Sequence, residues 1–175
     1  MITFVIPMHK WTDQIEICFN RLHQQLGANE IIVVADQCEL PDLPAKVVQT
    51  TKRSYAAGSR NLGAEHATHD VIVFVDSDIL VPNNFVKHCE EKYDKDQSSI
   101  FCFPMGTEVS DSYTAGFKGM LELYSTHHLY AQPQDTIQQL QGYCCVITKN
   151  LLHKTGHWVE TRTMELEEYA TNIHK

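Results

Sequence analysis

The chain is short of positive charge. Lysine and arginine number 14 against 22 aspartates and glutamates, a formal net charge of -8 at pH 7. Proteins that grip nucleic acid through its phosphates need a basic patch, so general nucleic-acid binding is excluded. No apolar run approaches the ~20 residues of a membrane-spanning helix. The opening Met-Ile-Thr-Phe-Val-Ile-Pro lacks the basic start of a secretory signal. These absences point to a cytosolic (cytoplasmic) protein and leave room for a peripheral membrane contact. Six cysteines (Cys18, Cys38, Cys89, Cys102, Cys144, Cys145) show no metal-ligand spacing. Cys144 and Cys145 are adjacent in an apolar strand and point to opposite faces, so all six read as reduced, mostly buried thiols. The ten histidines contain no His-Glu-x-x-His helix or similar pattern. Glycine is also missing where two enzyme classes need it. No Gly-x-Gly-x-x-Gly follows the first strand, which argues against a dinucleotide oxidoreductase. Pro7-Met-His-Lys-Trp11 lacks the glycine-rich basic loop of a sugar nucleotidyltransferase, which ranks well below the reading developed next.

What is present is one domain's worth of chain, 175 residues with 43% hydrophobic content and no repeat, low-complexity tract or linker. Ile2-Thr-Phe-Val-Ile6 predicts a first strand closed by Pro7, which cannot donate to a ladder. Thr12 or Asp13 caps a helix in which Ile15, Cys18, Phe19, Leu22 and Leu26 recur at helical spacing, and Gly27 ends it. Glu30-Ile-Ile-Val-Val-Ala35 is a second strand running into Asp36, so the first elements form a parallel βαβ unit. Lys46 to Thr50 is a short strand, and Arg60 and Asn61 lie in the first turns of a helix after it. Val71-Ile-Val-Phe-Val75 is a buried strand, and Pro82-Asn-Asn84 starts a helix with Phe85, Val86 and Cys89. Strands at 99–103 and 141–147, helices at 113–129 and around Leu151-Leu152, an aromatic turn from Gly156 to Glu160, and an acidic helical tail from Met164 complete the expected α/β domain.

The chemistry gathers where apolar strands end in acid. Val71 to Val75 runs directly into Asp76-Ser-Asp78. In open α/β sheets ligands sit beyond the carboxyl ends of the strands. Two carboxylates one residue apart can hold a hard divalent cation through oxygen and leave positions free for phosphates. Pro7, Asp36 and the Asp76/Asp78 pair fall along one edge of the sheet, with Arg60 on a helix between two of these strands. A carboxylate away from the metal, an acid pair and an arginine match the parts of a nucleoside diphosphate: base or ribose, bridged phosphates, and the oxygens left to neutralise.

In these blocks the chain resembles the family 2 glycosyltransferases, enzymes of the GT-A fold that use nucleotide-diphosphate sugars. Phe4-Val-Ile-Pro7 is similar to that family's opening strand, and Glu30-Ile-Ile-Val-Val-Ala-Asp36 to its Val-Val-Asp-Asp strand. Ala57-Gly-Ser-Arg-Asn-Leu-Gly63 resembles its Ala-Arg-Asn-x-Gly helix start, and Phe74-Val-Asp-Ser-Asp78, with Pro82 beyond, its DxD motif. Gly142-Tyr-Cys-Cys-Val-Ile147, Gly156-His-Trp-Val-Glu160 and Leu166-Glu-Glu-Tyr169 are similar to the acceptor-side strand, the Gly-Gly-Phe-Asp-Glu turn and the Glu-Asp motif. The resemblance implies a mostly parallel GT-A sheet flanked by helices, with a donor half over about residues 1–103 and an acceptor half over 104–175. It implies inverting, hexosyltransferase-type transfer with Mn²⁺ or Mg²⁺. Asp78 would be the direct metal ligand, Asp76 would touch ribose or a metal-bound water, Asp36 the base, and Arg60 the diphosphate. Glu168, with Glu167 as the second candidate, would be the base that deprotonates the acceptor hydroxyl.

The chain departs from the family pattern at Ala35, at Met8-His9-Lys10 in place of Thr-Tyr-Asn, and at Ala170 and His174. It also stops earlier than most members. Three readings stay open: a minimal enzyme, a fragment, or a nucleotide-sugar-binding module whose catalytic end is impaired or is completed by a homodimer or another partner chain. The nucleotide, the sugar and the acceptor (saccharide, lipid-linked or other) are not legible.

Overall fold

The structure is a computed structural model and describes residues 1–95, 100–103 and 144–158. Six strands form one sheet: β1 (Ile2–Met8), β2 (Glu30–Ala35), β3 (Lys46–Gln49), β4 (Val71–Val75), β5 (Phe101–Cys102) and β6 (Cys144–Thr148). Their order is β3-β2-β1-β4-β6-β5. The first four are parallel, while β6 runs antiparallel to β4 and β5 antiparallel to β6. The expected mostly parallel α/β sheet is therefore observed. Every residue of β1, β4 and β6 is buried, because helices cover both faces. On one face, α1 (Asp13–His23) and α3 (Phe85–Lys95) pack Ile15, Phe19, Leu22, Phe85 and Val86 against Phe4, Ile6, Val33, Val73 and Cys144. On the other, α2 (Tyr55–His66) and α4 (Lys149–Thr155) cover Val5, Val34, Ile72, Phe74 and Cys145. Cys144 and Cys145 thus face opposite layers as expected, and both are buried.

Chain order explains where a ligand can enter. The chain runs outward from β1 through β2 to β3, then returns to place β4 on the other side of β1. The order reverses between β1 and β4, and the connections leaving those two strands diverge to opposite faces, opening a crevice at their carboxyl ends. Pro7 does not close β1. The strand continues through Pro7↔Val34 and Met8↔Ala35, while its pairing with β4 stops at Val5↔Phe74. Met8 accepts from Asp36 across to β2 (2.7 Å), so the alternating backbone turns Pro7 toward β4, beyond the last pair. Its missing N–H falls where no ladder bond would form.

Other differences are local. α1 ends at His23 rather than at Gly27, which instead takes φ 59° in the turn beyond. β5 is two residues long, shorter than the expected 99–103. Gly63 has a packing reason to be glycine. A Cβ there would overlap Val5 Cγ1 and lie 3.1 Å from Val34 Cγ2, so its absence lets α2 settle on β1 and β2. No helix among the described residues is long and apolar enough to cross a membrane. The helix expected at 113–129, the acidic tail, Glu167 and Glu168 lie outside the described residues.

Candidate donor site

At the crevice lies an open cavity of about 290 Å³ lined by Pro7, Met8, Asp36, Arg53, Tyr55, Asp76 and Asp78, with His9, Ala56, Ser59 and Ser77 between them. Four expected residues, Pro7, Asp36, Asp76 and Asp78, are brought together. The fifth, Arg60, does not line this cavity.

Asp36 caps a helix that is remote in sequence. One carboxylate oxygen accepts from Thr50 Oγ1 (3.0 Å) and the Ser54 N–H (2.8 Å). The other accepts from the Tyr55 N–H (2.9 Å) and lies 3.3 Å from Arg53 Nε. Ser54, the residue before α2, makes no side-chain cap of its own, so Asp36 supplies the acceptor that the helix start lacks. Burial opposes the charge, but the Ser54 N–H, the Thr50 hydroxyl and the Tyr55 N–H outweigh it and hold the carboxyl below its usual range. With about four acceptor positions on a carboxylate, Asp36 is saturated by the protein itself. Tyr55 takes φ 55°, a left-handed conformation that a tyrosine rarely adopts, and the Asp36 bond holds it there. Arg53 lies over the Tyr55 ring, its guanidinium 5.3 Å from the centroid.

The acid pair ends β4. A turn closed by Ile79 N–H to the Asp76 carbonyl (3.1 Å) leaves Asp78 exposed at the cavity wall. Asp76 is partly covered and pairs with Arg60 Nη2 at 2.5 Å. Burial pushes the Asp76 carboxyl up, Arg60 pulls against that, and Asp78 adds to the rise. Arg60 itself is buried behind Asp76, its guanidinium 4.9 Å from the Trp158 ring centroid.

Sequence reasoning missed Arg53 and Tyr55. The available signal was Lys52-Arg53, a basic pair between a strand end and a small-residue helix start in a mostly acidic chain. Residue order does not say which way that helix face turns, so it left open that Arg60 lies behind Asp76 rather than on the cavity wall.

A scan against family models matches the glycosyl transferase family 2 model over residues 3–156. The chain belongs to glycosyl transferase family 2. Solved structures similar to this family 2 chain share its fold at low identity. Staphylococcus aureus TarS, residues 1–349, superposes with TM-score 0.68 at 18% identity, over 95% of this chain and 52% of that one. The mannosyltransferase PcManGT from Pyrobaculum calidifontis, in complex with GDP-Man and Mn²⁺, gives 0.65 at 17%, over 91% and 47%. TarS 1–349 in complex with UDP-GlcNAc gives 0.62 at 17%, over 90% and 48%. The family 2 chain thus has the GT-A fold and spans about half the length of these relatives. No curated protein sequence matches it significantly.

Proposed function

We propose that this family 2 chain is an inverting, metal-dependent glycosyltransferase that moves a hexosyl group from a nucleotide-diphosphate sugar to an acceptor hydroxyl. One observation carries the proposal: the cavity at the β1/β4 reversal has an acid pair at one end and an Asp36-ordered arginine and tyrosine at the other. The similar structures that hold GDP-Man with Mn²⁺ and UDP-GlcNAc support the same reading.

At the base end, Asp36 fixes Arg53 and Tyr55, whose guanidinium and ring offer donors and an aromatic face to a nucleobase. At the other end, the residues fit Mn²⁺ or Mg²⁺. No cluster of three or more His, Cys, Asp or Glu side chains suited to a metal occurs among the described residues. A hard cation in a nucleotide site, however, commonly takes one or two carboxylates and completes its shell with phosphate and water. Asp78 is exposed with no salt bridge among the described residues, and the Asp76 oxygen not bonded to Arg60 remains. These two carboxylates would hold the ion, and the burial that disfavours the Asp76 charge is relieved by a cation beside it. When bound, the cation offsets charge gathering on the departing nucleoside diphosphate. Asp76 and Asp78 would hold the cation at the diphosphate end of the cleft, and Glu168, with Glu167 second, takes the acceptor hydroxyl's proton.

The test is release of UDP or GDP from a panel of nucleotide hexoses with Mn²⁺, with the anomer of the product followed by NMR. Turnover with inversion, lost in Glu168→Gln while donor binding persists, supports the proposal. Retention contradicts the inverting assignment. Donor binding without turnover across an acceptor panel makes the chain a binding module instead.

A further inference from the structure

Arg60 and Asn61, one turn into α2, reach in two directions. Arg60 Nη2 holds the Asp76 carboxylate at 2.5 Å on the donor side. The same guanidinium lies over the Trp158 ring. Asn61 grips the backbone of Trp158 at both ends: its Oδ1 accepts from the Trp158 N–H and its Nδ2 donates to the Trp158 carbonyl, each at 2.9 Å. This two-point bond spans 97 positions in sequence. Two consecutive left-handed residues, Gly156 (φ 89°) and His157 (φ 67°), turn the chain back after α4 so that Trp158 can enter this grip. The Trp158 ring also stands edge-on to Phe74 in β4, with centroids 5.6 Å apart and planes at 89°.

The tie is held on few points. Arg60 Nε and Trp158 Nε1 are both buried with no hydrogen-bond partner among the described residues. Arg60 is a cation with a side chain only 9% exposed, and Asp76 is its one ion-pair partner among the described residues. A buried guanidinium held by one carboxylate and one ring face must respond when the carboxylate is drawn elsewhere. The Trp158 indole, packed against that guanidinium, must feel the response.

We propose that Arg60 is a positioning residue that transmits the state of Asp76 to the chain at Trp158. Asn61 fixes the Trp158 backbone while Arg60 sets the environment of its ring. Occupation of the donor end by nucleotide and metal draws on Asp76 and loosens its pair with Arg60. Trp158, where the described chain ends, then changes environment. The ligand part of this inference rests on the proposed function; the Asp76–Arg60–Trp158 tie does not.

The test uses Trp158 as its own reporter. The chain has two tryptophans, and a Trp11→Phe background leaves Trp158 alone. In that background without ligand, Asp76→Asn is expected to shift the emission and acrylamide quenching of Trp158. The same change made on Arg60→Met is expected to have no effect, because the link is already cut. Arg60→Lys, which keeps a cation but not the planar face, restores part of the Asp76 dependence. Circular dichroism and melting curves identify variants that fail to fold, and the uncharged Arg60→Gln stands in if Arg60→Met is one of them. An Asp76→Asn spectrum identical to its background, or an equal shift with and without Arg60, overturns the tie. UDP or GDP with Mn²⁺, with binding measured by calorimetry, is expected to alter Trp158 emission only where Arg60 is intact. Binding with no change in emission overturns the coupling. Absence of binding overturns the proposed function and leaves the ligand-free result to decide the tie.

Discussion

Replacing Asp36 by asparagine is expected to destabilise the protein much more than a surface substitution. The carboxylate is buried and accepts from Thr50 Oγ1, the Ser54 N–H and the Tyr55 N–H, with Arg53 Nε close by. Asparagine keeps one acceptor oxygen but puts an NH₂ where the second oxygen stood. That group faces other donors, and two charge-assisted contacts are lost. Hydrogen bonds to charged groups contribute about 1.5–3 kcal/mol each, partly recovered as the loop relaxes, so a net loss of about 2–4 kcal/mol follows. For a chain of this size that corresponds to a fall in Tm of roughly 5–15 °C. The loss also depends on pH. The folded pKa of Asp36 lies below the ordinary 3.8, so the unfolded chain takes up the proton first as pH falls. The stabilisation is therefore complete well above 3.8 and drains away as pH drops through the folded value. Urea unfolding at pH 7 and at several acid pH values measures both effects. A midpoint for Asp36→Asn within error of wild type at pH 7, or a gap that widens toward acid, would refute the capping account.

Gly63→Ala is expected to destabilise by about 1–2 kcal/mol by urea unfolding, because overlap with Val5 outweighs the gain of roughly 1 kcal/mol in helix propensity. A more stable variant would show that β1 yields to α2. At the amino ends of the strands, Glu30 accepts from Thr3 Oγ1 (2.7 Å) and from the Thr68 N–H (3.0 Å) and hydroxyl (2.9 Å). Burial opposes its charge, but these bonds prevail and hold its carboxyl below the ordinary 4.5. Glu30→Gln is expected to lose about 1–2 kcal/mol at pH 7, and the difference from wild type should shrink as pH falls through the folded pKa. A difference that stays constant to pH 3 would contradict this.

The strands were legible because burial on both faces leaves continuous apolar runs such as Ile31 to Ala35 and Val71 to Val75, each ending in acid. The acid pair was legible for the same reason: Asp76 and Asp78 follow a strand too apolar to lie at the surface. The start of α2 was less so. Its first residue has positive φ, and its cap is Asp36, 19 positions earlier than Tyr55, a pairing that exists only once β2 and α2 are side by side. Arg53 escaped notice because its place in the cleft depends on that same carboxylate. Arg60 was placed on the right helix, but its depth was not legible. Its helical phase directs it to Asp76 and Trp158, behind the cavity wall. Glu167 and Glu168 stand on sequence resemblance alone, since they lie outside the described residues.

The central claim is that the Asp76/Asp78 end of the cleft binds a divalent cation together with a nucleoside diphosphate. Calorimetric titration of UDP and of GDP, with and without Mn²⁺, into wild type and Asp78→Ala tests it most directly. Binding by wild type that strengthens at least tenfold with Mn²⁺, and an Asp78→Ala variant that gains nothing from the metal, is the predicted result. Equal metal enhancement in both proteins, or no nucleotide binding by a folded wild type, would contradict it.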